Sequence, residues 1–255
     1  MRRLVDVNAR AQVHLQPGER TNPSGKPVSS RILLSIPDTE FRAIRPYLEF
    51  YILVHHRILH EPSQRLEFAY FPNSGLISLV VATEDGKTVE AGVVGNEGLT
   101  GVPSAVGLRR NPLREVVQVS GDSFRIKVRN LQSILETAPQ LRMILSRYAV
   151  LQWMQIAQTA ACNRLHEVQQ RLARWLLMAQ DRVDSASLPI THDFLATMLG
   201  TDRPSVSLAA AMLQRKNIIA YTRGAVKILN RKKLEGFACE CYGIIQQLNG
   251  ELGLK

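Results

Sequence analysis

Hydrophobic and polar positions follow different rules in successive stretches of the chain. Residues 1–29 carry no sustained period, and Thr21–Ser30 is rich in Pro, Ser and Gly, which predicts a flexible N-terminal arm over residues 1–30. Ile36, Phe41, Ile44 and Leu48 then fall on one helical face behind Pro37-Asp38, a plausible helix start.

From Tyr51 to Val128 the pattern shortens to runs rich in β-branched and aromatic residues: Leu66–Phe71, Leu76–Ala82, Thr88–Val94, Val116–Val119 and Phe124–Val128. Pro72-Asn73-Ser74-Gly75, Glu84-Asp85-Gly86 and Gly121-Asp122 separate them, and turn signals at such close spacing predict an antiparallel sandwich or barrel. Asp85-Gly86 between two strand patterns is a hairpin signal.

Beyond Arg129 the strand pattern stops. Residues 138–179 contain no Gly, and their one Pro, Pro139, stands near the start. Leu141, Ile144, Tyr148 and Leu151 recur at three and four residues, an a/d seam of about two heptads that continues as Gln155, Gln158 and Cys162. Such a seam either packs on the sandwich or meets a second copy of the chain. The second reading is preferred, with Leu141, Ile144, Tyr148, Leu151 and Gln155 as the dimer interface. A further helix from about His166 to Ala179 sets Val168, Leu172, Trp175, Leu176 and Ala179 on one face.

The next stretch carries the functional signal. Thr191 is placed to cap a helix bearing Phe194, Leu195 and Met198, and Gly200 to end it in a left-handed turn. Asp202 can cap the following helix, with Arg203 and Pro204 at its start and Val206, Ala209, Ala210 and Leu213 as its inner face. Two short helices joined through one Gly make a helix-turn-helix between Leu188 and Leu213. Ile218–Tyr221, Thr222-Arg223-Gly224 and Ala225–Leu229 then read as a hairpin wing. The second helix would enter a major groove by its N-terminal end, presenting Arg203, Ser205, Ser207 and Leu208, while Lys216, Arg223 and Lys227 contact phosphates. Thr191 and His192, at the start of the first helix, complete the expected DNA-binding set.

Charge supports this reading. Lys and Arg number 32 against 22 Asp and Glu, a formal net charge of +10, which favours a polyanionic partner. Between Leu188 and Glu235 eight basic residues face three acidic ones, so half of the excess lies in the helix-turn-helix and wing. No apolar stretch reaches the roughly 18 residues of a membrane helix, and Met-Arg-Arg at the start has no apolar run behind it, so neither membrane span nor signal peptide is expected. Cys162, Cys239 and Cys241 form no disulfide framework and fit a reducing cytoplasm.

At this point the order of parts, and the wording YFPNSGLISLVV, TVEAGVVGNEGLTG, RLARWLLMAQDR and ITHDFLATMLGTDRPSVS, resembles the Crp/Fnr family of transcription regulators from about Arg31 to Tyr242. The resemblance implies a β-roll sensor akin to cyclic-nucleotide-binding domains, a dimer helix and a winged helix-turn-helix. It also implies a homodimer on a two-fold double-stranded DNA operator, and contact with RNA polymerase. The corresponding fold class is α+β: an N-terminal antiparallel, jelly-roll-like β-roll, a long dimerisation helix and a C-terminal winged helix-turn-helix. The corresponding divisions are arm 1–30, roll 31–136, dimer helix 137–165, DNA-binding domain 166–242 and tail 243–255.

The resemblance also exposes departures. Gly95, Glu97 and Gly98 occupy the start of the family's nucleotide cassette, and Arg114 its phosphate position, followed by Glu115. No Gly-Glu pair stands where the ribose would be held, and a carboxylate beside the phosphate site repels an anion. Ile156 and Ala157, the helix positions matched to the base, offer no hydrogen bonds. Gly95, Glu97, Gly98, Arg114 and Glu115 are therefore expected to line an effector pocket for an unidentified small molecule, without ordinary cyclic-nucleotide binding, and Arg114 is expected to pair with Glu115 or Glu97. In the recognition helix, Pro204 and Leu208 stand where well-known members carry Glu and Arg. Leu208 could touch a thymine methyl instead.

Other constellations are weaker. His55, His56 and His60 with Glu61 lack the alternation and the distant strand histidine of a cupin metal site, and read as surface histidines. Cys239-x-Cys241 lacks the second pair of a zinc site. Cys162 and His166, at i and i+4, lack accompanying carboxylates and read as a core or interface thiol and its neighbour. No iron–sulfur site is expected, since residues 1–161 contain no Cys. No Walker loop, Gly-x-Ser-x-Gly or pair of catalytic carboxylates occurs, so no enzyme, no metal and no cofactor are expected. A small-molecule sensor acting mainly through protein contacts, and a cupin-like metal-binding protein, remain as alternatives.

Overall fold

The computed structural model describes residues 15–251 apart from Ser63, Asp184 and Arg223. Short helices α1 (Arg31–Ser35) and α2 (Asp38–Ile44) precede strands β1 (Glu49–Leu53), β2 (Ile58–His60), β3 (Phe68–Pro72), β4 (Leu76–Ala82), β5 (Thr88–Val94), β6 (Arg114–Val119) and β7 (Gly121–Lys127). The strands form two antiparallel sheets, ordered β1-β7-β3 and β2-β6-β4-β5. Asp85-Gly86 joins β4 to β5 as a hairpin, with Gly86 at φ +81°. The turns at Pro72–Gly75 and Gly121-Asp122 have another role: each carries the chain from one sheet to the other. β1 and β2 escape the strand pattern because they are short and only partly buried.

Helix α3 (Val128–Thr137) leads into α4 (Pro139–Leu165), then α5 (Val168–Val183). The C-terminal module adds β8 (Ser187–Leu188), α6 (His192–Leu199), α7 (Arg203–Arg215), β9 (Ile219–Thr222), β10 (Ala225–Ile228), α8 (Arg231–Glu235) and α9 (Cys241–Glu251). β8, β10 and β9 form a small antiparallel sheet, the wing. Among the described residues no helix is long and apolar enough to cross a membrane.

The two largest cores explain how the parts are joined. In one, Phe71, Phe124, Ile126 and Leu131 meet the inner side of α4. In the other, Leu76, Val80, Val93 and Val119 from the roll join α5 and α6, and through them α7 and the wing, in one continuous cluster. Helix α5 is therefore buried continuously from Arg171 to Ala179, between roll and wing, and extends four residues beyond the expected end.

Two expectations need correction here. The seam of α4 does not face outward: Leu141, Tyr148, Leu151 and Gln155 are buried in the chain's own core, and Ile144 packs against it. Burial of each large apolar side chain stabilises by about 1.5–3 kcal/mol, so this stripe, extended by Leu145, is held by the roll. The exposed side of α4 instead carries Met143, Val150, Trp153 and Met154.

Second, the described part of the N-terminal arm is tightly fixed. Val28 is fully buried, and the buried Arg20 guanidinium donates to the carbonyls of Leu33 (2.5 Å) and Ile36 (2.8 Å) and to Asp38 (2.6 Å). Asn22 accepts from the Ser24 and Lys26 amides, and Asn73 from those of Ser29 and Ser30. Polar side chains supply the hydrogen bonds that this loop lacks as secondary structure, which composition alone does not reveal. Residues 1–14 lie outside the described residues.

Candidate nucleic-acid interface

Local chemistry sets both helices of the reading module. Thr191 Oγ1 accepts from the Phe194 amide at 3.2 Å and caps α6. Gly200 closes α6 at φ +58°, ψ +46°, a conformation that costs a residue with a Cβ, and its amide returns to Ala196 and Thr197. Asp202 accepts from the Ser205 amide at 2.8 Å and caps α7, with Pro204 in its first turn. Val206, Ala209, Ala210 and Leu213 then lock α7 to the core.

The opposite side of α7 is open. Arg203 and Leu208 are 66% and 70% exposed respectively. Pro204, Ala211 and Arg215 share this solvent side. Arg203 has one weak tether, Asp193 at 3.5 Å, an exposed pair of the kind that holds a side chain loosely.

Ser205 and Ser207 are less free. The Ser205 hydroxyl donates to Asp202 at 3.0 Å, and Ser207 Oγ lies 3.0 Å from His192 Nδ1. The His192 ring stacks on Tyr221 at 4.0 Å, so it braces α6, α7 and the wing together. Burial, and then the Arg203 charge, hold its pKa below the usual value. Lys216 lies over the Phe237 ring at 5.3 Å, and Lys227 is exposed on β10. Arg223 falls outside the described residues.

The module built from these two capped helices and the three-stranded wing is similar to a known domain. Residues 170–237 match the family described as the Crp-like helix-turn-helix domain. The C-terminal module is thus similar to Crp-like helix-turn-helix domains, and the chain as a whole shares the fold of solved Crp/Fnr-type proteins. FixK2 from Bradyrhizobium japonicum superposes with a TM-score of 0.65 at 13% identity, covering 75% of this chain and 98% of that one. A putative Crp/Fnr-family transcriptional regulator from Eubacterium rectale gives 0.62 at 15% identity, covering 79% and 94%. CLP from Xanthomonas campestris, a c-di-GMP responsive global regulator, gives 0.62 at 14% identity, covering 75% and 99%. No curated protein sequence matches the chain. The Crp/Fnr type is a class of transcription regulators, not of enzymes.

In this chain the residues expected to form an effector pocket do not line one space. A Cβ on Gly98 would fall 2.0 Å from the Tyr148 hydroxyl, and one on Gly95 would meet Arg182. Glu97 is buried in an ion pair with Arg182 at 2.7 Å. Arg114 pairs with Glu61 at 2.9 Å, and not with Glu97 or Glu115 as expected. Strand alternation turns its neighbour Glu115 inward, where it accepts from the Gly101 amide and Asn111. Burial raises the Glu115 pKa. The cleft beside Glu97, between Arg31, Asn96, Asp181 and Gln246, holds about 40 Å³, room for a few waters and too small for a nucleotide.

Of the three histidines expected at the surface, His55 and His56 are exposed and only His60 departs from that reading. His55 and His56 lie in the turn after β1, with His56 at φ +63°, while His60 is buried and bonds the Asn111 carbonyl at 3.3 Å.

Buried arginines on α5 were not anticipated. Arg171, Arg174 and Arg182 bond Asn163, Thr159 and Glu97 respectively, and Trp175 Nε1 donates to Glu90 at 2.7 Å. Arg171, Arg174, Met178 and Arg182 fall at i, i+3, i+7 and i+11, a helical stripe that was readable in the sequence. Arg231 is likewise structural: it bonds Gln180, Asp181, Glu235 and Tyr242.

Burial lifts the Glu90 carboxyl to about 7 against a reference of 4.5, although Ser78 and Trp175 both donate to it. A raised carboxyl pKa stabilises the fold fully below the unfolded value and loses that contribution as pH rises through the folded one. Unfolding free energy should therefore fall by up to about 3 kcal/mol between pH 4.5 and 7 from this group. Glu115 acts in the same direction. Urea titrations of the chain and of Glu90→Gln across that window provide the check, and the variant should show the shallower slope.

The cysteines require a final correction. Cys162, at the end of α4, and Cys239 and Cys241, at the start of α9, are far apart in sequence yet form one buried cluster, with His166 beside them. The carboxylate found wanting in the sequence is supplied by Glu240, 3.1 Å from His166 Nε2.

Proposed function

We propose that the protein is a homodimeric, sequence-specific transcription regulator that acts in the cytoplasm on a two-fold DNA operator. The observation that carries this reading is Arg203, exposed and only loosely paired with Asp193 at the N-terminal end of a capped helix whose outer side is open. Arginine in that place donates two hydrogen bonds to guanine O6 and N7. Pro204 and Leu208 give the reading face an apolar character, and Leu208 suits a thymine methyl. Lys216 and Lys227 contact phosphates, with Thr191 and His192 orienting the helix pair. RNA polymerase is the further protein partner, and the two half-sites lie about 34 Å apart.

Dimerisation uses the side of α4 opposite the seam. Met143, Arg147, Val150, Met154, Ala157, Ala161 and Arg164 alternate at four and three residues, a heptad register on exposed positions. Trp153, 65% exposed, flanks it. The sensor takes no ordinary cyclic nucleotide, because Arg182 and Tyr148 fill the space around Gly95, Glu97 and Gly98 and Arg114 is engaged by Glu61.

Selection of bound sequences from random duplex DNA tests the reading, followed by titration of the selected site. Arg203→Ala should cost roughly 1–3 kcal/mol, about 5- to 150-fold in affinity, and relax one base position. Unchanged affinity and preference would remove α7 as the reading helix.

A further inference from the structure

Cys162, His166, Cys239 and Cys241 come from two places in the chain. Cys162 lies on the inner side of α4, and His166 is the residue that ends that helix. Cys239 and Cys241 flank Glu240 where the chain turns into α9. All three cysteines are free thiols and buried. Their sulfurs and one His166 nitrogen lie within 4.8 Å of one another. Cys162 and Cys239 are 3.5 Å apart, sulfur to sulfur, and Cys241 Sγ is 3.6 Å from His166 Nδ1.

The 3.5 Å and 3.6 Å separations lie close to those of one coordination geometry. With Zn–S about 2.3 Å and Zn–N about 2.0–2.1 Å, a tetrahedron separates two sulfurs by about 3.8 Å and a sulfur from a nitrogen by about 3.6 Å. A four-iron cluster places iron atoms between its thiolates and needs them further apart than 3.5 Å. Three thiolates and an imidazole are a soft donor set, the kind that closes a structural zinc site.

The surroundings fit as well. His166 Nε2 faces the Glu240 carboxylate at 3.1 Å, which places the proton on that nitrogen and leaves Nδ1 as a donor lone pair towards the sulfurs. Gln158 Nε2 donates to Cys241 Sγ at 3.0 Å, the hydrogen bond a metal-bound thiolate accepts.

We propose that these four residues bind a single Zn²⁺ ion in a closed Cys₃His site. The ion fastens α9 to the end of α4, at the joint where α4 gives way to α5 and the DNA-binding module. Helix α9 is anchored on its other flank by Asp181, which accepts from Tyr242 and Gln246. With the ion in place, the C-terminal helix braces that joint from outside.

The test uses the full chain purified under reductant without chelator. Elemental analysis should return one zinc per chain, falling to a trace in Cys239→Ser and Cys241→Ser. Chelated, reduced protein titrated with Co²⁺ should develop thiolate charge-transfer bands and the strong visible absorption of tetrahedral cobalt. These should saturate at one equivalent and vanish on adding Zn²⁺. His166→Ala, at a partly exposed position that the core does not need, should fold and shift the cobalt spectrum. The proposal is overturned by native protein that carries no zinc and gives no cobalt–thiolate bands with its thiols reduced. A stable Cys162–Cys239 disulfide, or iron with acid-labile sulfide in place of zinc, overturns it equally.

Discussion

Arg182→Ala should destabilise the protein by about 3–5 kcal/mol, the expected cost of leaving one member of a buried ion pair alone. The Arg182 and Glu97 side chains are 3% and 8% exposed, and their 2.7 Å contact joins α5 to the roll. Arg182 also donates to the Met178 carbonyl, while Glu97 Oε2 already lacks a hydrogen-bond partner. Removing the guanidinium therefore leaves a buried carboxylate without its ion-pair partner. Replacing both partners, as Glu97→Gln with Arg182→Met, should recover most of the loss, because a buried pair is worth far less than the cost of breaking it. Urea denaturation of the two single variants and the double variant gives the coupling energy. A loss below about 1 kcal/mol for Arg182→Ala would mean that the roll and α5 separate enough for water to solvate Glu97.

Val150→Glu should abolish dimerisation and weaken operator binding by about 100-fold or more. Val150 is 51% exposed in the single chain and central to the outward heptad stripe of α4. On a two-fold dimer the introduced carboxylates would face each other across an apolar seam, with burial and like-charge repulsion acting together. A dimer gains about 10²–10⁴ in affinity by engaging two half-sites at once, and a monomer forfeits that gain. Light scattering reports the mass, and titration of full and half operators reports the affinity. Folding should be unaffected, because the substituted side chain points away from the chain's own core. Retained dimerisation would place the interface elsewhere. The same substitution at Leu151, one residue on, should unfold the protein instead, since Leu151 is buried against the roll.

The contrast between Val150 and Leu151 marks the boundary of what sequence pattern can convey. An amphipathic stripe states that one helix side is covered, not what covers it. The Leu141–Leu151 seam has a coiled-coil spacing, yet its partner is the chain's own sheet. The helix-turn-helix was legible because its signals are local: Thr191, Gly200, Asp202 and Pro204 each act through backbone atoms within a few residues. The hairpin at Asp85-Gly86 was legible for the same reason. The turns at Pro72–Gly75 and Gly121-Asp122 were found as turns, but their passage between sheets depends on strand pairing far away in the chain.

The candidate sites divide along the same line. Arg203 and Leu208 owe their exposure to a helix phase that periodicity encodes, so both were readable. Ser205 and Ser207 were equally visible, but hydrogen bonds to Asp202 and His192 occupy their hydroxyls. Gly95, Glu97 and Gly98 open on no pocket because Tyr148 and Arg182, 50 or more residues away in sequence, close on them, while Glu61 engages Arg114, and the Gly101 amide and Asn111 engage Glu115. The chain order and local caps thus establish a roll, a long helix and a winged reading head. Long-range packing alone decides which side of α4 is free, which charges pair across the joint, and that Cys162 meets Cys239 and Cys241. Short-range signals are written where they act; contacts between distant segments exist only once the cores of the roll and of the winged module have closed around α4 and α5.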